Sequence, residues 1–294
     1  MSEAPVTRLV DCHCHTGEGP LWHPDEARLY WVDIPRGILH RYDPATDEHE
    51  QCYETAVIGG FTIQADGSLL LFEGSGRVER WRDGRTEVVV DDIPEERDSR
   101  FNDVVADPQG RVFCGTMPTE NRLGRLYRLD PDGTLTQVLR GLDIPNGMGF
   151  SPGRERFYVT ESVPGKIYVF DYDESTGRIS NREVFLDLSE EEGVPDGLTV
   201  DADGYVWSAR WDGGSLVRYG HSGVEDRRVE FPARKVSSVT FGGRDFSRGF
   251  VTTALGPGDQ PAGARESEGD GAGAVFEFQP EVGGLSPYRS QILL

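Results

Sequence analysis

Lysine is scarce in this chain, and basic residues as a whole are outnumbered. The sequence has 30 basic and 51 acidic residues, a formal net charge of −21, and Lys166 and Lys235 are its only lysines. An acidic surface of this kind repels phosphates, which argues against nucleic acid or an anionic membrane as a partner. High net charge is also a means by which halophilic proteins stay soluble. We therefore expect a protein adapted to high salt.

Cysteines and long apolar runs are also few. Four cysteines in 294 residues (Cys12, Cys14, Cys52 and Cys114) are too few and too scattered for a disulfide scaffold. No apolar run approaches the roughly 20 residues that span a bilayer. The opening MSEAPVTRLV has no basic segment followed by an apolar core, so no signal peptide is predicted. These absences favour a cytoplasmic enzyme.

Helical periodicity is missing, and strand patterns take its place. The segment that comes closest to a helix, Leu188–Glu192, is short and predicted to be a turn. Alternating runs rich in aromatic and β-branched residues predict strands, each followed by a second strand and a turn of the Asp-Gly type. The predicted strands are Arg28–Asp33, Ser68–Glu73, Arg111–Thr116, Arg156–Glu161, Tyr205–Arg210 and Arg248–Thr253.

One short pattern recurs six times along the chain. It opens at Glu18, Gly59, Asn102, Asn146, Asp196 and Ser237, with spacings of 41, 43, 44, 50 and 41 residues. A period in the forties with several strands per repeat is typical of a β-propeller. We predict an all-β, six-bladed β-propeller in which residues 1–294 form a single domain. Residues 1–17, including 7–11, would close the last blade, and the Gly-rich stretch 256–274 would be an exposed loop.

The residue that opens each repeat begins the innermost strand of its blade, and such strands line the central channel. Glu18, Asn146 and Asp196 should therefore meet at one mouth of it, where their oxygens suit a hard divalent cation. Taken singly, Asn146-Gly147 and Asp196-Gly197 would be ordinary turns, and Glu18 a solvated acid. Their shared position, before a strand, favours a metal site. Asn102 has the same position, and Arg100 precedes it on the loop into the channel.

At these residues the chain resembles the senescence marker protein-30 (regucalcin)/gluconolactonase/LRE-like family. The similar segments run through nearly the whole chain and are specific in their order and spacing. They are GEGPLW (17–22), YWVDI (30–34), SRFNDVVADPQGRVFCGTM (99–117), IPNGMGFSP (144–152), YVTES (158–162), PDGLTVDADGYVW (195–207), SSVTFGG (237–243) and GGLSPYRS (283–290).

The resemblance implies a six-bladed propeller that hydrolyses sugar lactones with one divalent metal ion (Ca, Mg, Mn, Zn or Fe). It implies metal ligands at Glu18, Asn146 and Asp196, and substrate contacts at Arg100 and Asn102. Some members of the family carry a further Glu after the GTM segment, to which Glu120 would correspond on a loop that is short here.

The residue types suggest how such a site would work. A cation with open coordination positions polarises a lactone carbonyl and activates water. Asp196 is the candidate general base for the attacking water. Arg100 and Asn102 would orient the hydroxyl groups of the substrate or stabilise the developing oxyanion.

The sequence Asp-Cys-His-Cys-His at 11–15 invites a zinc interpretation. Zinc sites usually pair ligands two to four residues apart and need a second pair elsewhere. In an extended strand, Cys12 and Cys14 would face away from His13 and His15. We predict a packed closing strand here, and a small core residue at Cys114.

Three functions remain open at this point. The first is a metal-dependent lactonase, a carboxylic-ester hydrolase of oxidative sugar catabolism acting on a small sugar lactone. The second is a related metallo-hydrolase acting on other esters, such as an aryl ester or an organophosphate. The third is a non-catalytic propeller, either a calcium-binding regulator or a docking scaffold. The sequence does not decide between pentono- and hexonolactones, nor between a monomer and a small homo-oligomer.

Overall fold

Six four-stranded antiparallel sheets contain every β-strand of the computed structural model, which describes residues 6–258 and 260–294. Their arrangement as six blades confirms the predicted all-β propeller, formed as a single domain. Each blade is a meander in which neighbouring strands pair in antiparallel register. Among the described residues, no helix is both long and apolar enough to cross a membrane. Residues 1–5 of the predicted closing segment lie outside the described residues.

The first three blades contain twelve strands. They are β2 (Gly17–His23), β3 (Arg28–Asp33), β4 (Ile38–Asp43) and β5 (Glu48–Glu54); β6 (Ile58–Ile63), β7 (Leu69–Glu73), β8 (Val78–Arg82) and β9 (Arg85–Val90); and β10 (Phe101–Ala106), β11 (Val112–Thr116), β12 (Gly124–Leu129) and β13 (Leu135–Leu142).

The other three blades contain the remaining strands. They are β14 (Pro145–Phe150), β15 (Arg156–Glu161), β16 (Lys166–Asp173) and β17 (Arg178–Asp187); β18 (Val194–Val200), β19 (Val206–Trp211), β20 (Ser215–Tyr219) and β21 (Glu225–Glu230); and β22 (Lys235–Gly242), β23 (Arg248–Ala254), β24 (Val275–Phe278) and β1 (Val6–Val10). Leu188–Glu192 forms turns and bends, as predicted.

The ring is closed by the start of the chain. Strand β1 pairs antiparallel with β24 and forms the outer edge of the sixth blade. The prediction that residues 11–15 continue as a strand is wrong. Strand β1 ends at Val10, and His13 has a positive φ of 51° that turns the chain away from the sheet edge.

Apolar residues fill the six spaces between blades. Each space contains one cluster of buried side chains contributed by the facing sheets, such as Phe113 and Phe157 between the third and fourth blades. The innermost strands contact their neighbours around the ring, and β22 contacts β2 to complete the circle. Cys114 is buried in one of these clusters, as predicted.

Buried aspartates hold the hairpin turns that give the repeat its Asp-containing signature. The Asp201 carboxylate accepts hydrogen bonds from the Asp203 and Tyr205 amides, both at 3.0 Å, from the Trp207 indole at 2.9 Å and from the Arg218 guanidinium at 2.7 Å. Because one side chain fastens both the turn and the next two strands, this part of the repeat is structural.

The Gly-rich stretch 256–274 is not simply the exposed loop that composition predicts. It contains one helical turn, α1 (Arg265–Glu268), and it returns to the interior at Ala272 and Ala274, which are buried. An ion pair contributes to this return, since the Glu268 carboxylate contacts the Lys235 ammonium at 2.5 Å. The segment therefore packs on the sixth blade.

The end of the chain closes the channel on the side away from Glu18. Ser286, Pro287 and Tyr288 line a central cavity of about 170 Å³ together with the innermost strands. The Ser290 amide donates to Ile63 O at 2.9 Å, and the Gln64 side chain bonds both the amide and the carbonyl of Ile292. The C-terminal segment thereby covers this end of the channel.

We expect Gly59→Ala to destabilise the protein strongly, by about 3 kcal/mol or more. A Cβ at Gly59 would lie 2.0 Å from the backbone oxygen of Phe101, where the second and third blades touch. Gly258→Ala is the matched control, because a Cβ there meets only Pro35 side-chain atoms, at 3.5 Å or more. Urea denaturation measures both variants. Equal unfolding free energies would show that the blades can move apart at little cost.

Candidate active site

Every innermost strand is irregular at one point, and the six repeat-opening residues lie there. The pairing with the second strand shifts register at Glu18/Leu21, Ile58/Gly60, Phe101/Val104, Pro145/Met148, Pro195/Leu198 and Val236/Ser238. Such bulges redirect side chains and are frequent beside active sites. The shared repeat position thus corresponds to a shared backbone irregularity at one mouth of the channel.

Glu18, Asn146 and Asp196 come together at this mouth. All three are nearly buried, with 4 to 6% of their surface exposed. The Asn146 amide nitrogen donates to Asp196 Oδ1 and, at 3.2 Å, to Ser162 Oγ. The Glu18 and Asp196 carboxyl groups lie close enough for each to affect the ionisation of the other. Gly147 permits this close approach, since a Cβ there would lie 2.1 Å from Leu198 N.

Asp103 adds a third carboxyl group that our sequence analysis did not single out. It borders the central cavity, and its charge interacts with those of Glu18 and Asp196. A signal for it exists in the repeat. The residue after the opening position is Gly19, Gly60, Asp103, Gly147, Gly197 and Ser238 in the six blades, so only the third carries an acid there.

Burial and mutual repulsion make this carboxyl group set costly to ionise. Desolvation, and then the charges of Asp196 and Asp103, raise the pKa of Glu18 well above its usual range. Desolvation and the Asp103 charge do the same for the pKa of Asp196. Burial raises the pKa of Asp103 to about 7, against the lowering effect of Arg100. A cation among these groups would relieve the repulsion.

The donor set fits a hard divalent cation. The Asn146 Oδ1 atom is buried without a hydrogen-bond partner, although the nitrogen of the same amide has two. An unpaired buried carbonyl oxygen is unfavourable unless something binds it. Together with the Glu18 and Asp196 carboxylates it supplies the all-oxygen ligands that Ca²⁺, Mg²⁺ or Mn²⁺ prefer.

Comparison with known proteins places this architecture in a family. Residues 16–255 match the family model described as the SMP-30/Gluconolactonase/LRE-like region. The chain belongs to the SMP-30/gluconolactonase/LRE-like family. The matched range contains every repeat-opening residue and Asp103.

Individual relatives extend over nearly the whole chain. It is 54% identical to the pentonolactonase XacC of Haloferax volcanii over 292 residues, covering 98% of this chain and 99% of that protein. It is 32% identical to bovine (Bos taurus) regucalcin over 298 residues, with coverages of 98% and 99%. A solved structure described as a calcium-binding protein, regucalcin, from Agrobacterium tumefaciens superimposes with a TM-score of 0.87 at 26% identity, covering 97% and 98% of the two chains.

Arg100 and Asn102 lie beside the carboxyl groups of this family member. Arg100 Nη1 donates to Asn102 Oδ1 and to Phe101 O, both at 2.9 Å. The Asn102 amide nitrogen donates to Pro145 O at 3.1 Å, which leaves one of its N–H groups for another acceptor. The positive charge of the Arg100 guanidinium lowers the pKa of both Asp103 and Asp196. These two carboxyl groups therefore face a basic side chain as well as each other.

Glu120 lies apart from the buried set, exposed at the tip of the turn between Thr119 and Arg122. The Arg122 guanidinium anchors this turn by contacting the buried Glu96 carboxylate at 2.5 Å. A role for Glu120 in substrate binding stays a prediction.

The other two repeat positions serve packing. Gly59 leaves room for the neighbouring blade, and Ser237 Oγ donates to Gly17 O at 2.6 Å, joining the sixth blade to the first. The site is therefore built from blades one, three, four and five.

Glu73, at the same end of the second blade, gives the protein a pH-dependent stability. Burial and then the Glu79 charge raise its pKa from 4.5 to about 7, so the folded state binds the proton more tightly than the unfolded state. Unfolding free energy should then fall as pH rises from about 4.5 to about 7. We expect Glu73→Gln to remove this fall and to stabilise the protein at pH 8 by on the order of 1 kcal/mol. Denaturant titrations at pH 5 and pH 8 measure it, with the exposed Glu54→Gln as control. A Glu73→Gln effect that is the same at both pH values would contradict the assignment.

Proposed function

We propose that this chain hydrolyses a small sugar lactone to its aldonic acid, with one divalent metal ion held by Glu18, Asn146 and Asp196. The observation that carries the proposal is the unpaired, buried Asn146 oxygen beside two buried carboxyl groups. The 54% identity to a pentonolactonase supports the lactone, and makes pentonolactones the first substrates to test.

The metal ion would have a defined chemical part in this reaction. When bound, it supplies Lewis-acid polarisation of the lactone carbonyl and activation of water. Glu18, Asn146 and Asp196 would hold it with oxygen ligands. The similarity to a calcium-binding regucalcin supports calcium, and Mg, Mn, Zn and Fe are the other candidates.

Asp196 would take the proton of the attacking water. Its Oδ1 atom accepts the hydrogen bond from Asn146, which fixes the orientation of the carboxylate plane. Burial and then the Asp103 charge raise the pKa of Asp196 above its usual range, which makes its carboxylate a stronger base. A bound cation would lower this pKa again, because it stabilises the ionised carboxylate.

Arg100 and Asn102 would bind the substrate and stabilise the charge that develops on the carbonyl oxygen. The guanidinium is held against Asn102 and the Phe101 carbonyl, so its direction is fixed before substrate arrives. Fixed positive charge in a largely buried site stabilises an oxyanion more than it would in water. The remaining N–H of Asn102 is available to a substrate hydroxyl group.

We expect Arg100→Lys to raise KM about 10-fold or more and to lower kcat less. Lysine keeps the charge, but cannot donate at once to Asn102, to Phe101 O and to substrate in a fixed plane. Initial rates over a range of lactone concentrations separate the two constants. The exposed Arg85→Lys serves as the matched control. Unchanged kinetics in Arg100→Lys would remove Arg100 from the substrate site.

The test of the proposed function is a pH-stat assay of lactone hydrolysis. Xylono-, arabinono-, galactono- and gluconolactone are compared at high salt, first after chelation and then after adding back each metal. The proposal predicts metal-dependent acid release, fastest with a pentonolactone. Tight calcium binding without hydrolysis of any lactone would favour a calcium-binding regulator, and hydrolysis confined to aryl esters would favour the related metallo-hydrolase.

A further inference from the structure

A second cluster of metal-ligand residues lies where the ring closes, and the proposed lactonase chemistry does not use it. Cys14, Asp33 and His40 are each only 1% exposed, and one ligand atom from each lies within 4.8 Å of the others. Cys14 follows the closing strand β1, Asp33 ends β3 and His40 lies in β4. The cluster thus joins the chain that leaves the last blade to the sheet of the first.

The distances suit a tetrahedral zinc site. Cys14 Sγ lies 3.7 Å from His40 Nε2. Zinc bonds of about 2.3 Å to sulfur and about 2.0 Å to nitrogen place such a pair about 3.5 Å apart. Cys12 Sγ lies 3.2 Å from Cys14 Sγ. Two thiolates on one zinc ion are about 3.8 Å apart, so the half-buried Cys12 needs to move outward by only about half an ångström.

The groups behind these side chains already orient them. His40 Nδ1 is 2.9 Å from His49 Nε2, which commits one ring nitrogen and leaves Nε2 facing Cys14. Trp31 stacks on both imidazole rings. A histidine that binds a metal ion ordinarily has a hydrogen-bond partner on its second ring nitrogen, and His49 is that partner for His40.

The Asp33 carboxylate is held just as firmly. Its oxygens accept hydrogen bonds from the His15 and Thr16 amides at 2.9 and 3.1 Å, and from the Arg36 guanidinium at 3.1 Å. The Arg36 charge offsets part of the negative charge that two thiolates and a carboxylate would bring together. Asp33 Oδ2 accepts two of these hydrogen bonds and Oδ1 only one, so Oδ1 keeps a lone pair for a metal ion.

We propose that Cys12, Cys14, Asp33 and His40 bind a zinc ion that fastens the closing strand to the first blade. Thiolate and imidazole ligands in a closed tetrahedral arrangement are typical of structural zinc, and a carboxylate oxygen also binds zinc, whereas the set at the channel mouth is all oxygen. On binding, each thiol loses its proton to solvent and each sulfur forms one bond to the ion, with no change of oxidation state. The hydrogen bond from the Cys14 amide to Gly273 O, at 2.8 Å, extends the same connection to the sixth blade, while the Cys12 thiol gives up its own hydrogen bond to that oxygen when it loses its proton.

Cobalt tests the site in the full-length protein under reducing conditions. Co²⁺ on thiolates gives a sulfur-to-metal charge-transfer absorption that an all-oxygen site cannot give. We expect this band in the unaltered chain, with saturation at one equivalent, reversal by Zn²⁺ and protection of two thiols from a thiol reagent. The band should persist in Asp196→Asn, which affects only the channel mouth, and in Cys52→Ser, which changes a half-buried cysteine outside the cluster.

The variants of the cluster decide the assignment. Cys14→Ser and His40→Gln should lose the band, and their affinity for Zn²⁺ should fall at least 10-fold. Circular dichroism verifies that the propeller of each variant is folded. Absence of the band in the reduced, unaltered protein would overturn the proposal, whatever the variants do. So would a band that survives in both Cys12→Ser and Cys14→Ser, or zinc binding that disappears in Asp196→Asn.

Discussion

Asp196→Asn is expected to lower kcat for lactone hydrolysis by roughly 10²- to 10⁴-fold, the size of a general-base contribution. Asparagine preserves the shape of the side chain and an oxygen that accepts the Asn146 hydrogen bond. It removes the negative charge and the atom that takes up the proton. Steady-state rates under saturating metal and substrate measure the loss.

The Asp196 result needs a control for charge and one for folding. Asp187→Asn removes a carboxylate from the surface, where it pairs with Lys166 at 3.1 Å, and should leave kcat unchanged. Thermal unfolding of Asp196→Asn should show a folded protein, because removing one of three repelling acids does not disturb packing. Activity within about two-fold of the unaltered chain would rule out Asp196 as the base.

Removal of divalent metal should abolish hydrolysis, and its return should restore it. Asn146→Ala should alter the dependence of the hydrolysis rate on metal concentration the most, because it deletes the unpaired buried oxygen. We expect the metal concentration for half-maximal activity to rise by more than 100-fold in that variant. Ser162→Ala removes only the hydroxyl group that accepts a hydrogen bond from the Asn146 amide at 3.2 Å. In this variant the metal concentration for half-maximal activity should rise about 10-fold.

The order of these two effects distinguishes a metal ligand from a packing residue. If Asn146 only holds Asp196 in place, both variants should lower kcat at every metal concentration and shift the metal requirement equally. Full activity of the unaltered chain after exhaustive chelation would contradict the metal-dependent mechanism altogether. Assays belong in molar salt, because the excess of acidic residues predicts adaptation to it.

The sequence predicts the circular arrangement because the same pattern of strands and turns recurs six times along the chain. Glu18, Asn146 and Asp196 share one position in separate blades, and a closed ring brings equivalent positions together. The pattern also contains Asp103, but the bulge that brings two consecutive residues toward the channel is visible only in the strand pairing. An acid where other blades have glycine or serine is a signal that sequence inspection can use.

Features that depend on unequal parts of the repeat were harder to predict. The stretch 256–274 has the composition of a loop, yet Glu268 and Lys235 bring it back onto the sixth blade. The cluster around Cys14 brings together three separate segments of the chain, and no local sequence pattern predicts how these segments align in space. Its histidine, His40, lies 26 residues from Cys14 in an ordinary-looking strand.

The position of the cation is the point on which the proposed function depends most. Crystals grown with Mn²⁺ and measured near the manganese absorption edge would locate it through anomalous scattering. We predict a peak at the channel mouth, within about 2.0 to 2.6 Å of oxygens from Glu18, Asn146 and Asp196. A fully occupied manganese site elsewhere, with these three side chains bound only to one another and to water, would contradict it.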